Sequence, residues 1–170
     1  WGPAFFTQYA QAGLHKTIPL YNAFSIDGAN LPIFQKRKMT HLLGTMNANF
    51  WAPDLDNPAT RKFVPAFKKH YKGQIPAHYA AQAYDALMLI AAGVRAAKGD
   101  MSNMDAVRRG MEKADFDSVR GKIKFGKNHF PIQDFYARKV VNKDGQWQLS
   151  RVGNAVLKNH APTNSSECKL

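Results

Sequence analysis

The residues best suited to binding chemistry stand at the start of the longest apolar stretch of the sequence. His78, Tyr79 and Gln82 open residues 77–99, a run otherwise rich in alanine, leucine and methionine. Alanine, leucine and methionine are strong helix formers. A proline before the run and a glycine at its end suit the start and the end of a helix. Free N–H groups at a helix start favour anions. The pattern therefore predicts a helix whose amino end borders a ligand cleft. For His78 the alternative is a capped or solvated histidine.

The remainder of that helix is expected to be a core element. Residues 86–94 are apolar on every side of a helix, which indicates burial on most sides. The continuously apolar part is only about nine residues long, whereas a bilayer-spanning helix needs roughly 20. We therefore predict the buried central helix of a globular protein.

A second group of candidate binding residues lies where a predicted strand ends. The β-prone stretch 17–24 closes with Asn22, Ala23 and Phe24, and the Asp27-Gly28 turn follows. Open α/β sheets bind ligands at the carboxyl ends of their strands. We expect Asn22, Ala23 and Phe24 to face a solute, although Phe24 also suits an ordinary core.

The sequence favours binding over catalysis. It has no Gly-x-Ser-x-Gly nucleophile elbow, no complete phosphate-binding loop ending in Lys-Ser or Lys-Thr, no His-Glu-x-x-His and no Gly-x-Gly-x-x-Gly. Asp54, Asp56 and Asn57 suggest a calcium loop, but the glycine and the distal glutamate of such a loop are missing. A helix cap is the better interpretation. We predict no enzyme activity, no metal and no cofactor.

Composition narrows the class of partner. The chain has 170 residues, 45% of them hydrophobic, which is ample for a core. Its 24 basic and 12 acidic residues give a net charge of +12. No zinc spacing accompanies this charge, and the longest basic run is residues 36–38, so we expect a solvated basic surface and no nucleic acid. The single cysteine, Cys168, cannot form an internal disulfide. The start at Trp1, without methionine, suggests an internal fragment.

The order of elements predicts an α/β protein. Helices are expected over residues 3–12, 58–72 and 103–114, in addition to 77–99. Strands are expected over 17–24, 41–49, 121–125, 135–141 and 146–149, with a hairpin turn at Asn142-Lys143-Asp144-Gly145. Helices alternate with strands in the first half, which favours a parallel sheet.

Several short stretches, in order along nearly all of the chain, resemble the C-terminal half of type I periplasmic solute-binding proteins of ABC transporters, the leucine/isoleucine/valine-binding protein family. Each stretch is weak alone, but their order and spacing together are fairly specific. They are Gln11-Ala12-Gly13-Leu14, Gly44, Asn57-Pro58, Phe63-Val64, Lys68-Lys69-His70-Tyr71, Ala83-Tyr84-Asp85-Ala86, the run from Val119 to Phe125, and Lys143-Asp144-Gly145-Gln146-Trp147.

The resemblance implies a periplasmic-binding-protein type I fold, two α/β lobes with parallel sheets that close on a small solute, here as an incomplete C-terminal portion. Residues 1–48 would form the first part of the C-terminal lobe, and 49–139 the returning part of the N-terminal lobe. Residues 140–170 would add the last part of the C-terminal lobe and a tail. The missing half would include the loop that usually grips the ligand's carboxylate.

The resemblance also assigns roles to individual residues. An aromatic side chain at Trp1 would stack on the solute, and Tyr79 would line the pocket with His78 beside it. Tyr84 and Asp85 would be structural. In amino-acid binders of this family an acidic residue near Asn22 meets the ligand's ammonium group, whereas this chain has no carboxylate before Asp27. An aromatic or other small carboxylate is therefore preferred over a branched-chain amino acid, which stays the alternative.

The expected partners and location follow from the same resemblance. The protein would be the periplasmic binding component of an ABC importer and would dock on a permease in the inner membrane. It would need the missing N-terminal half of the same protein, which could also hold a partner for Cys168. A ligand-sensing receptor domain shares the fold and is a further alternative.

Overall fold

The computed structural model describes residues 2–162 and 167–168. Trp1, one of the candidate ligand-binding residues, lies outside the described residues. Five α-helices and five strands follow each other in the described chain, and two short 3-10 turns (Leu14–Lys16 and Thr40–Leu42) connect some of them. In chain order they are α1 (Gly2–Gln11), β1 (Tyr21–Asn22), α2 (Leu31–Lys36), β2 (Met46–Asn49), α3 (Pro58–His70), α4 (His78–Ala96), α5 (Met104–Glu112), β3 (Lys124–Phe125), β4 (Pro131–Lys143) and β5 (Gln146–His160).

The five strands form one mixed sheet. Its order is β1-β2-β4-β3, and β5 also pairs with β4. The β1–β2 pair is parallel, and the other described pairs are antiparallel. The predicted α/β class is confirmed, with parallel pairing confined in the described chain to β1 and β2.

The helix and hairpin signals of the sequence are confirmed. Asn57 caps α3 by accepting a hydrogen bond from the Thr60 N–H at 2.8 Å, and Asn103 caps α5 in the same way. At the hairpin, Asp144 and Gly145 have φ angles of 52° and 79°, the left-handed conformation that a tight two-residue turn requires. The strands on either side are 13 and 15 residues long, far longer than predicted.

Three predicted strands are too long. The strand expected over residues 121–125 is only β3. The strand expected over 17–24 is only β1, and the strand expected over 41–49 is only β2. The preceding segments turn instead, since the N–H groups of Thr17 and Leu43 donate to carbonyls three residues earlier. The β-prone side chains of these two segments have no neighbouring strand with which to form a ladder. Strand formation depends on such tertiary contacts as well as on residue type.

The expected burial of α4 on most sides is also wrong. Leu87 is 69% exposed and Ile90 is 46% exposed. The buried residues of α4 lie on one side of the helix, and Gly93 meets α5 there; they are His78, Ala81, Asp85, Ala92 and Gly93. The apolar run of α4 therefore has one face that the described chain leaves uncovered.

The buried apolar side chains form two clusters. The first core contains Phe6, Ile26, Leu31, Phe34, Met39, Leu42, Val140, Trp147 and Leu149. The second core contains Phe50, Trp51, Ala52, Leu55, Ala59, Phe63, Ala81, Val119 and Tyr136. Strand β4 contributes to both, with Val140 in the first and Tyr136 in the second. No described helix is long and apolar enough to cross a membrane.

Candidate functional site

A ladder of polar side chains crosses three strands between the two cores. The Asn47 amide nitrogen donates to Asn22 Oδ1 at 2.7 Å and also to the Ala23 carbonyl. Arg138 donates to Asn47 Oδ1 and, at 3.0 Å, to the Trp51 carbonyl. These bonds fix the chain just after β1, where the sequence places its candidate binding residues.

Four rings gather beside this ladder, and we call them the aromatic cluster: Phe24, Phe50, His78 and Tyr79. The His78 ring centroid lies 5.2 Å from that of Phe24, 6.0 Å from that of Phe50 and 4.1 Å from that of Tyr79. Phe24 is 45% exposed and Tyr79 is 59% exposed, so both offer flat apolar surface. Such surfaces suit a planar apolar solute.

A guanidinium group borders the aromatic cluster. The Arg120 Cζ atom lies 5.4 Å from the centroid of Phe50, within the range of a cation–π contact. Asp85 holds this side chain through Nε at 2.8 Å, and Gln133 accepts from Nη1 at 2.9 Å. The second core thereby sets the position of Phe50 at the cluster.

His78 is buried, and neither ring nitrogen has a hydrogen-bond partner among the described residues. Burial lowers the pKa of His78, and the Arg138 charge lowers it further, whereas the Asp27 charge acts in the opposite direction. The ring is therefore neutral near pH 7, because the ordinary pKa of histidine is already about 6.5.

Arg138 is a buried cation. It is 1% exposed, and its Nε atom has no partner in the part of the chain that the structure describes. Burial lowers its pKa to about 10, although the charges of Asp27 and Asp54 oppose this shift. The guanidinium group thus remains charged at neutral pH. No salt bridge joins it to a carboxylate within residues 2–162 and 167–168.

His78 and Arg138 also line a cavity of about 240 Å³, which we call the basic cavity. Its walls come from the start of α2, the 72–77 loop and the start of β5. The 72–77 loop approaches the Asp27-Gly28 turn so closely that a Cβ atom on Gly28 would lie 2.6 Å from the Ile75 carbonyl oxygen. A glycine is needed at this position because backbone fills the space of a side chain.

The candidate residues of the sequence take different places. Phe24, His78 and Tyr79 come together in the aromatic cluster. The Asn22 side chain and the Ala23 carbonyl bind Asn47, so they build the ladder.

Sequence reasoning missed Phe50, Asn47 and Arg138. For Asn47, a polar residue inside an apolar strand was the available signal. Arg138 gave none, since an arginine in a strand ordinarily lies on the solvated face. The first carboxylate after β1, Asp27, is buried, and its Oδ1 atom accepts the N–H groups of Ala29 and Asn30.

Stability is expected to fall as the pH drops below about 6.5, and His78 should supply part of this slope. Its pKa is lowered in the fold, so the unfolded chain binds more protons than the folded chain in this range, and the free energy of unfolding then rises with pH. Urea unfolding between about pH 5 and pH 8 should show a smaller slope for His78→Gln than for the original chain. His70→Gln, at an exposed position, is the control. Equal slopes in all three proteins would contradict the prediction.

Comparison with known proteins places this geometry in a class. The model of the periplasmic binding protein family matches residues 2–146. Solved structures that resemble the chain include type I periplasmic binding proteins of ABC transporters, which confirms the predicted fold. The chain belongs to the periplasmic binding protein family. A search of curated proteins found no match.

Three solved structures illustrate the similarity. A solute-binding protein of an ABC transporter from R. palustris, in complex with benzoate, is 31% identical with a TM-score of 0.76, over 99% of this chain and 43% of that one. An ABC transporter substrate-binding protein from Sphaerobacter thermophilus has a TM-score of 0.80 at 22% identity, over 92% and 42%. The leucine-binding protein LivK from Thermotoga maritima has a TM-score of 0.69 at 21% identity, over 88% and 41%. The chain thus spans less than half the length of each.

Proposed function

We propose that this chain is part of the extracytoplasmic solute-binding component of an ABC importer, and that the component binds a small carboxylate with a preference for aromatic acids. The observation that carries the proposal is the aromatic cluster, which exposes Phe24 and Tyr79 beside a strand end. Such proteins bind and release their solute, and we propose that the chain has no catalytic turnover.

The electrostatics around the cluster favour a solute without an amine. Asp27 is buried and occupied by backbone N–H groups, while Arg138 and Arg120 add positive charge nearby. A buried ammonium group would therefore lack a free acceptor, which costs a few kcal/mol. The benzoate bound to the R. palustris protein supports the aromatic preference.

The alternative solute is a branched-chain amino acid, and the similarity to a protein named as leucine-binding supports it. In that case the acceptor for the ammonium group would come from outside this chain. A ligand-sensing receptor domain would use the same cleft and differ in what is attached to it. Isolation of a permease in complex with the protein would favour the transport function over the receptor domain.

The proposed assembly has two lobes and a periplasmic location. Residues 1–48 and 140–170 would belong to the C-terminal lobe, and 49–139 to the returning part of the N-terminal lobe. The composition of the two cores supports this division, because the first draws on residues 6–42 and 140–149 and the second on 50–136. The missing N-terminal half of the protein would cover the carboxylate, and an inner-membrane permease would receive the solute.

We expect benzoate to bind the complete protein more tightly than leucine does. Phe24→Ala should weaken benzoate about tenfold to hundredfold, since it removes both buried apolar area and a ring contact. Isothermal titration calorimetry measures both affinities. Phe130→Ala removes a phenylalanine that is 61% exposed and lies outside the aromatic cluster, so it should leave benzoate affinity unchanged.

Two results would contradict this preference. Leucine binding more tightly than every aromatic acid tested would show that an acidic partner lies outside this chain. Equal losses for Phe24→Ala and Phe130→Ala would show that the aromatic cluster does not contact the solute.

A further inference from the structure

The residues that line the basic cavity differ from those of cavities that stay empty. Its lining includes three basic residues, Lys72, His78 and Arg138, and no acidic residue. Apolar walls come from Leu31 and Trp147, among others. Cavities that stay empty are apolar, whereas this one combines apolar walls with converging cationic and amide groups.

Two buried side chains at the cavity leave hydrogen-bonding atoms unsatisfied. Arg138 lacks a partner for Nε, and His78 lacks partners for both ring nitrogens among the described residues. Both side chains are at least 99% buried and both line the cavity. Leaving such groups unsatisfied is costly, so a bound acceptor in the cavity would stabilise the fold.

The backbone around the cavity adds positive potential. The 19-residue helix α4 begins at His78, and its preceding residue, Ala77, offers no side-chain cap. The amino end of such a helix carries a partial positive charge and free N–H groups. Asp27 and Asp54 oppose the Arg138 charge through space, but neither lines the cavity.

We propose that the basic cavity binds one small oxyanion, a carboxylate or an inorganic oxyanion of about the size of acetate or sulfate. Arg138 and His78 donate to it from the floor, with His78 as its Nδ1–H or Nε2–H tautomer, and Lys72 adds charge from the 72–77 loop. The site goes beyond the proposed function, because Phe24, Phe50 and Tyr79 do not line it. Every lining residue belongs to this chain.

The position of the anion has a structural consequence. Leu31 and Trp147 belong to the first core, whereas the 72–77 loop leads into α4 beside the second. A bound oxyanion would therefore join elements of the first core to the start of α4 at His78. It would also orient the His78 ring, which lines the basic cavity and belongs to the aromatic cluster.

The test is calorimetric titration of the 170-residue chain with sodium sulfate and, separately, sodium acetate, against sodium chloride at the same ionic strength. We expect saturable binding of one equivalent of at least one of the two anions. Comparison of the two titrations distinguishes an inorganic oxyanion from a carboxylate. Because Arg138 also holds β2 through Asn47, the variants are made at exposed positions of the lining.

Lys72→Gln and Gln146→Glu should each weaken binding about tenfold, the first by removing a cation and the second by adding an anion. Lys62→Gln removes the same charge from α3, outside the cavity, and should have no effect.

Two outcomes would overturn the proposal. One is the absence of saturable binding for both anions, which would mean that water fills the cavity. The other is an equal loss for Lys72→Gln and Lys62→Gln, which would assign the binding to the overall charge of +12. Failure of benzoate to bind the complete protein would leave this proposal standing.

Discussion

Replacement of Asp85 by alanine is expected to lower the free energy of unfolding by about 3–5 kcal/mol, the usual cost of breaking a buried ion pair. The Asp85 carboxylate is buried in α4 and accepts three hydrogen bonds. Its donors are the Ser118 hydroxyl at 2.6 Å, the Val119 N–H at 2.9 Å and Arg120 Nε at 2.8 Å. Without it, Arg120 is left nearly buried with no anion. Urea unfolding followed by circular dichroism measures the change.

A surface pair provides the matched control for Asp85. Asp105 contacts Arg108 at 3.2 Å on α5, and its side chain is 70% exposed. Asp105→Ala should cost less than about 1 kcal/mol. A similar loss for the two variants would show that the Asp85 network contributes no more than an exposed pair. Asp85→Asn keeps an acceptor for the Val119 N–H but removes the charge. Its loss of unfolding free energy should lie between those of Asp85→Ala and Asp105→Ala.

Replacement of Gly93 by valine is expected to destabilise the chain by about 3 kcal/mol, the upper part of the range for overpacking. Gly93 lies where α4 crosses α5. A Cβ atom there would lie 2.7 Å from the Val107 carbonyl oxygen and 2.6 Å from Met111 Cγ. Gly110 faces it, with a similarly close approach to Ala96 and to Gly93 itself. Because backbone atoms block the space, the helices must move apart.

The same substitution at an exposed position of α4 separates packing from helix propensity. Ala83→Val should cost less than about 1 kcal/mol, since only propensity changes. Gly93→Ala is the more sensitive variant: alanine is the better helix former by about 1 kcal/mol, so any net destabilisation must come from the clash. A stabilised Gly93→Ala would contradict the close crossing.

Local rules predicted the elements that local groups determine. The Asn57 cap and the Asp144-Gly145 turn each depend on residues within a few positions, and the structure confirms both. The structural role expected for Asp85 fits its buried hydrogen bonds. Such features can be predicted from the sequence because the side chain and its partner lie close in sequence, or because the residue type has one common structural role.

Long-range partners explain the failures. β1 pairs with β2 over only two residues, and nothing in the stretch 17–24 specifies where the partner strand ends. Arg138 meets Asn47 across 91 positions of sequence. Three of the four rings of the aromatic cluster were predicted from the sequence, because Phe24, His78 and Tyr79 lie at the ends of predicted elements. Phe50, which follows a strand like many core residues, was not distinguishable from them.

The long hairpin of β4 and β5 determines which of the two cores can be completed first along the chain. Residues 50–136 complete the second core as one uninterrupted segment, while the first core lacks Val140, Trp147 and Leu149 until the hairpin exists. On a ribosome all the buried members of the second core would thus be synthesised before the first core has its last three. The two ends of the inner segment meet where Asn49 pairs with Tyr136 on adjacent strands, which run about 4.8 Å apart. Among the described residues, the segment is consequently inserted through a narrow base, so that the chain enters and leaves it on neighbouring strands.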